Sequence, residues 1–171
     1  MNLSGIVFYV LRAARFALAV CAVYAAARAV YLKAKKRPVN WKRELVNLLF
    51  AAYFAALVEI IALRGGTGNT RQLRPVPLRT TIQTMKEGLW PFVYNFVGNL
   101  MWFVPLGMFL HRKKPVCAML IGAAVSMVLE MLQWLLMTGV TDVDDVIINA
   151  LGALAGNYIA KIRNRTGSRS V

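Results

Sequence analysis

Acids are scarce in this chain: seven Asp and Glu stand against 21 Lys and Arg in 171 residues, for a formal net charge of +14. Cysteine is also sparse, and Cys21 and Cys117 both lie inside apolar runs with no partner spacing for a metal site, so they read as buried thiols. The opening MNLSGIVFYV lacks a basic n-region, and no small-residue cleavage pattern follows it, so no cleavable signal peptide is expected. No internal repeat is visible, which removes support for the inverted-repeat architecture of many transporters.

What the chain does have is apolar sequence. Hydrophobic residues make up 58% of it, well above the share of a soluble globular domain, and this predicts an integral membrane protein. Five apolar segments stand out: Ala13 to Leu32, Leu45 to Leu63, Pro91 to Leu110, Pro115 to Met137, and a shorter one from Val146 to Ala160. At about 20 residues per span, the length suits one compact bundle with short loops and no separate soluble domain. The expected fold is therefore an all-α polytopic bundle of about five transmembrane helices, a single domain over residues 1–171.

The basic residues orient it. KAKKRPVNWKR, HRKK and the tail KIRNRTGSRS together carry thirteen Lys and Arg on one side. The 64–90 loop carries five, and the turn after Met137 none. Basic loops stay cytoplasmic, so the N-terminus is expected outside and the C-terminus inside. The charge excess then reflects topology; nucleic-acid binding would need a water-exposed basic face. Arg12, Arg15 and Arg28 read as snorkelling side chains near helix ends. His111, the sole histidine, falls on the cytoplasmic side, which disfavours phosphohistidine or Ser/His chemistry at an outer site.

Polar residues inside apolar segments cost about 2.5 to 3.5 kcal/mol each on insertion scales when charged, so they are expected to face the interior in company. Ser126, Glu130, Gln133 and Trp134 follow helical spacings, as do Tyr94, Asn95, Asn99 and Trp102, with Gly98 suited to a close helix approach. Asp145 and Asn149 are four apart, ahead of Gly152 and Gly156, a small-residue packing face. Pro105 and Gly107 are expected to shape the third span. Asp142, Asp144 and Asp145 suit a helix N-terminus as caps; three carboxylates within four residues also invite a cation, although no complete ligand set follows from spacing.

Three blocks carry a family resemblance: LRPVPLRTTI, then NFVGNLMWFVPLGMFL, then SMVLEMLQ followed by TDVDDVIINALGALAG. They cover about residues 72 to 160, and the sequence resembles the VanZ-like membrane proteins, whose founding member is associated with bacterial resistance to teicoplanin. The first two spans, within residues 1–63, are similar only in general character. The resemblance marks Pro77, Arg79, Asn95, Asn99, Pro105, Gly107, Glu130, Gln133, Asp142, Asp145, Asn149 and Gly152 as characteristic positions, and it implies a bacterial cytoplasmic membrane. In place of an arginine shortly before the aspartate turn, MTGVTD offers Gly139 and Val140. Arg79 becomes the first candidate to neutralise the acids.

From these readings we expect Arg79, Asn95, Asn99, Glu130, Gln133, Asp142, Asp145 and Asn149 to form an outward-facing polar pocket, with Pro77, Pro105, Gly107, Gly152 and Gly156 in structural roles. Such a pocket suits membrane lipids or a lipid-linked cell-wall intermediate, with an effect on glycopeptide susceptibility. A membrane enzyme using Glu130 and the Asp142/Asp145 carboxylates on a lipid head group is the alternative, followed by a small transporter. No cofactor is expected; neither catalytic residues nor metal ligands can be assigned from the sequence.

Overall fold

The structure is a computed structural model that describes residues 3–63 and 71–167, with side chains assigned for 11–63 and 71–166. Arg64 and Arg169, counted above for orientation, lie outside the described residues. The chain is all-α in class, with six helices and two three-residue strands among the described residues, and it divides into units Met1–Gly66 and Thr67–Val171.

The first unit is a helical hairpin of α1 (Leu3–Ala34) and α2 (Trp41–Ile61). Asn40 starts α2, its side-chain oxygen accepting the Arg43 backbone N–H at 3.1 Å, as Asn does at an N-cap. Two ion pairs lace the hairpin. Arg12 donates to the Glu59 carboxylate and to the Leu63 carbonyl, while Arg28 makes a two-pronged contact with Glu44, both bonds at 2.9 Å. These arginines therefore satisfy acids on the facing helix rather than snorkelling to head groups. The spacing was legible: Arg12 and Arg28 are 16 residues apart and Glu44 and Glu59 are 15, about 24 and about 22 Å along a helix.

The second unit contains β1 (Gln72–Arg74), α3 (Arg79–Glu87), α4 (Leu89–Phe109), α5 (Pro115–Leu136), β2 (Val140–Asp142) and α6 (Val143–Gly167). Among the described residues, four helices are long and apolar enough to cross a membrane: Leu11–Ala34, Trp41–Ile61, Leu89–Phe109 and Pro115–Leu136. The fifth expected segment is a helix as well, α6, and at 25 residues it is ample in length. It carries Asp144, Asp145, Asn149 and Asn157, and its hydropathy falls short accordingly. Asn149 and Asn157 are buried within the unit, so α4 and α5 shield this helix's polar face.

Glycine makes that shielding close. A side chain at Gly152 would collide with the Leu100 carbonyl, one at Gly156 with that of Val104, and one at Gly107 with that of Ala153. Backbone thus touches backbone along the α4–α6 seam, the small-residue packing of membrane helices. Gly98, expected to permit such an approach, faces open space instead; Gly107 serves that purpose. Pro105 lies inside α4 without ending it, its ring on the exposed side of the helix.

Between strand and helix, α3 and α4 meet at Gly88, whose φ of +130° is open to glycine and strained for other residues. β1 pairs with β2 in parallel, Gln72 opposite Val140 and Arg74 opposite Asp142. This pairing fixes the segment ahead of α3 against the turn between α5 and α6. Pro77 sits in the turn between β1 and α3.

Candidate functional site

The acids gather where β1, α3, α5, β2 and the start of α6 meet. Glu130 on α5 is 3% exposed, and its Oε2 accepts the backbone N–H of Asp142 at 3.0 Å. Asp142 caps α6 by accepting the Asp144 N–H at 2.9 Å, as its place before the helix predicts, and its other oxygen accepts the Thr80 hydroxyl at 2.5 Å. Asp144 reaches across to α3. It accepts the Leu78 N–H, the Thr81 N–H at 2.8 Å and the Thr81 hydroxyl at 2.9 Å.

These bonds fall on the first turn of α3, where backbone N–H groups have no partner inside the helix and a negative charge suits the dipole. Leu78, the residue ahead of α3, adopts a left-handed conformation (φ 62°) and offers no side-chain cap. A carboxylate 66 residues further along the chain replaces that cap. The strained backbone at Leu78 is therefore held by Asp144, which is 1% exposed.

Around this knot, the Thr141 hydroxyl donates to the Glu130 carbonyl at 3.1 Å, and the Arg71 guanidinium stacks over the Trp134 ring, 4.7 Å from its centroid. The first ties β2 to α5, and the second ties the residue ahead of β1 to the end of α5. Deeper in, Asn99 of α4 donates to Asp145 at 2.5 Å, and Asn149 of α6 donates to the Ser126 hydroxyl of α5 at 2.8 Å. Amides thus join helices within the span, as membrane bundles often arrange. The Asn149 carbonyl oxygen is buried and has no partner among the described residues, an open acceptor costing about 1–3 kcal/mol where no water reaches it.

Glu130, Asp142, Asp145, Asn99 and Asn149 all lie in this column, and Asn95 borders a niche of about 10 Å3 beside Asp145, Thr84 and Phe96, room for one water at most. Gln133 turns aside: its side chain lies against Gly139, and its carbonyl accepts the Thr138 N–H at the end of α5. Tyr94, on the same predicted stripe as Asn95, is 66% exposed. Arg79 is exposed at the start of α3; the cation nearest the acids is Arg74, 3.9 Å from Asp142 and 3.5 Å from the Thr80 hydroxyl.

Asp144, expected from the sequence as a cap of its own helix, caps α3 instead, and Thr80 and Thr81 were not among the expected site residues. LRTTI does carry a signal, two adjacent threonines in the first turn of a helix lacking its own capping side chain, in a chain with three aspartates at another helix start. Among the described residues, no three His, Cys, Asp or Glu side chains are grouped to hold a metal ion. That fits the carboxylate chemistry: Glu130, Asp142 and Asp144 face backbone N–H donors and hydroxyls.

At the far end of the unit, Asn157 donates to the Leu110 carbonyl at 2.6 Å and lies 3.5 Å from that of Lys113, joining α6 to the α4–α5 turn. The bases of HRKK and of Lys161, Arg163 and Arg165 therefore share one end, opposite the acids.

A helical membrane protein with a buried acidic knot fastening an interhelical segment is the class that this fold and site define. The chain belongs to the VanZ/LLP1 family, whose family model matches residues 45–164. No curated protein and no solved structure matches it.

Proposed function

We propose that the segment clamped by the acids, β1 through α3, is an outward-facing recognition surface for the anionic head group of a cell-envelope lipid or lipid-linked wall intermediate. By binding it, the protein alters that lipid's exposure and lowers glycopeptide susceptibility, as the family's founding member suggests. The observation that carries this reading is that Asp142 and Asp144, the former braced by Glu130, hold a segment that leaves Arg74 and Arg79 exposed. Seven acids serve the whole chain, and two of them bond directly to this basic stretch. A cationic surface fixed before its ligand arrives loses less entropy on binding than a free loop.

The sorting of charge within the unit supports the orientation. The end carrying HRKK and the α6 tail faces the cytoplasm under the positive-inside rule, and the acidic knot then faces out, into the cytoplasmic membrane's outer leaflet. Head-group catalysis has less support: Glu130 and Asp142 already accept backbone N–H groups, and the niche beside Asp145 admits no substrate atom larger than a water.

The test is the inhibitory concentration of teicoplanin in bacterial strains lacking the gene, overexpressing it, or overexpressing the Arg74→Gln/Arg79→Gln form. Overexpression raises it, deletion lowers it, and the double variant behaves as the deletion. Identical values across the strains contradict the reading.

A further inference from the structure

We propose that the groove between the C-terminal half of α1 and the N-terminal half of α2 binds an acidic phospholipid, its phosphate held by Lys33, Lys36 and Arg37 and an acyl chain lying along the groove. This site is in the first unit, and it goes beyond the function proposed above.

The groove has a volume of about 640 Å3, within the range of small-molecule sites. Its wall is apolar, built by Ala25, Ala29 and Leu32 of α1 and by Leu45 and Leu48 of α2. The alanines keep the two helices' side chains from filling the space, so the cleft stays open for a flexible hydrocarbon. Trp41, 79% exposed, stands at its mouth, the place where tryptophan marks a membrane–water boundary.

Charge settles the kind of lipid. Glu44 is the sole acid among the described residues lining the groove, and both its oxygens are taken by Arg28 at 2.9 Å. That pair is neutral, leaving Lys33, Lys36 and Arg37 as three cations at one rim. All three are exposed, on the last turn of α1 and the turn that follows, where Lys36 adopts a left-handed conformation (φ 49°). Cations at a helix C-terminus also complement its dipole, and a phosphate seated among them gains from three partners at once. A zwitterionic lipid brings its own cation to a rim that already has three. A soluble phosphate lacks the chain that fills the apolar wall.

The experiment uses the full chain in phosphatidylcholine nanodiscs doped with phosphatidylglycerol of matched chains, with bound lipid read by native mass spectrometry after release. In an Arg74→Gln/Arg79→Gln background, retained phosphatidylglycerol should exceed its bulk share by about fivefold, and adding Lys33→Gln/Lys36→Gln/Arg37→Gln should bring it back to bulk. Ala29→Trp, which fills the groove with the cations intact, should do the same, and Ala25→Leu serves where that variant loses helicity by circular dichroism. Added inorganic phosphate should not displace the lipid, and because Arg74 and Arg79 are already replaced in every protein compared, lipid held at the surface proposed above does not enter the reading. Equal retention of both lipids, retention unaffected by the triple variant, displacement by phosphate, or a lipid-free dimer closing the groove would each overturn the proposal.

Discussion

Asp144 and Thr81 meet through two hydrogen bonds, the Thr81 backbone N–H and its hydroxyl both donating to one carboxylate oxygen of Asp144, at 2.8 and 2.9 Å. One helix is thereby capped by the first turn of another, and an exposed segment is tied to a membrane-embedded bundle. Removing the carboxylate strands the N–H groups at the start of α3.

Asp144→Ala should destabilise the second unit by about 2 kcal/mol, the upper range for a lost cap, because the freed donors sit in a buried setting. Thr81→Ala should cost about 1 kcal/mol, and the double variant less than the sum, since the hydroxyl has nothing left to bond. Thermal unfolding of the four proteins in one detergent gives the coupling.

Glu130 acts here as an acceptor, with its Oε2 on the Asp142 N–H. Glu130→Gln keeps an oxygen in reach and should leave folding and membrane insertion close to wild type. Glu130→Leu orphans that buried N–H and should cost about 1–3 kcal/mol. If the Gln form abolishes the teicoplanin phenotype with stability intact, the carboxylate has a chemical role that its hydrogen bonds do not account for.

Along the α4–α6 seam, Gly156→Val drives a side chain into the Val104 carbonyl, whereas Gly98→Ala meets nothing within 4 Å. The first should cost about 3 kcal/mol or prevent accumulation, and the second should be close to neutral. Steady-state protein in membranes and unfolding temperature distinguish the two.

In the hairpin, Glu59 is buried and Arg12 is its partner. Arg12→Ala leaves a carboxylate alone among apolar neighbours and should cost about 3 kcal/mol; Arg12→Leu/Glu59→Leu should recover most of that, because replacing both charges removes the desolvation penalty too. A double-mutant cycle on unfolding measures it.

Long apolar runs bounded by charge made the helices readable. The segment from Pro115 to Met137 is α5 to within a residue, and Leu45 to Leu63 overlaps α2 apart from its ends, because twenty apolar residues in a row have few other uses. That Glu130, Asn99, Asp145 and Asn149 would have hydrogen-bond partners inside the bundle also followed from the cost of burying them. Partner choice did not. α3 is nine residues long and β1 three, too short to announce themselves by periodicity, and both depend on contacts over 60 residues away. Arg74 displaced Arg79 because the parallel register sets Arg74 opposite Asp142, and no local pattern encodes a two-strand sheet between distant turns. Gln133 is taken up by the turn that follows α5: after left-handed Met137 the chain places Thr138 on its carbonyl and Gly139 against its side chain.

Hydrogen exchange read by mass spectrometry over residues 72–88 tests the account at its centre. In the wild-type protein the α3 amides should be protected, and Asp144→Ala should speed exchange there by at least about tenfold while α4, α5 and the rest of α6 keep their protection. Unchanged exchange in that segment, or rapid exchange in the wild type, would show that the acids do not hold it.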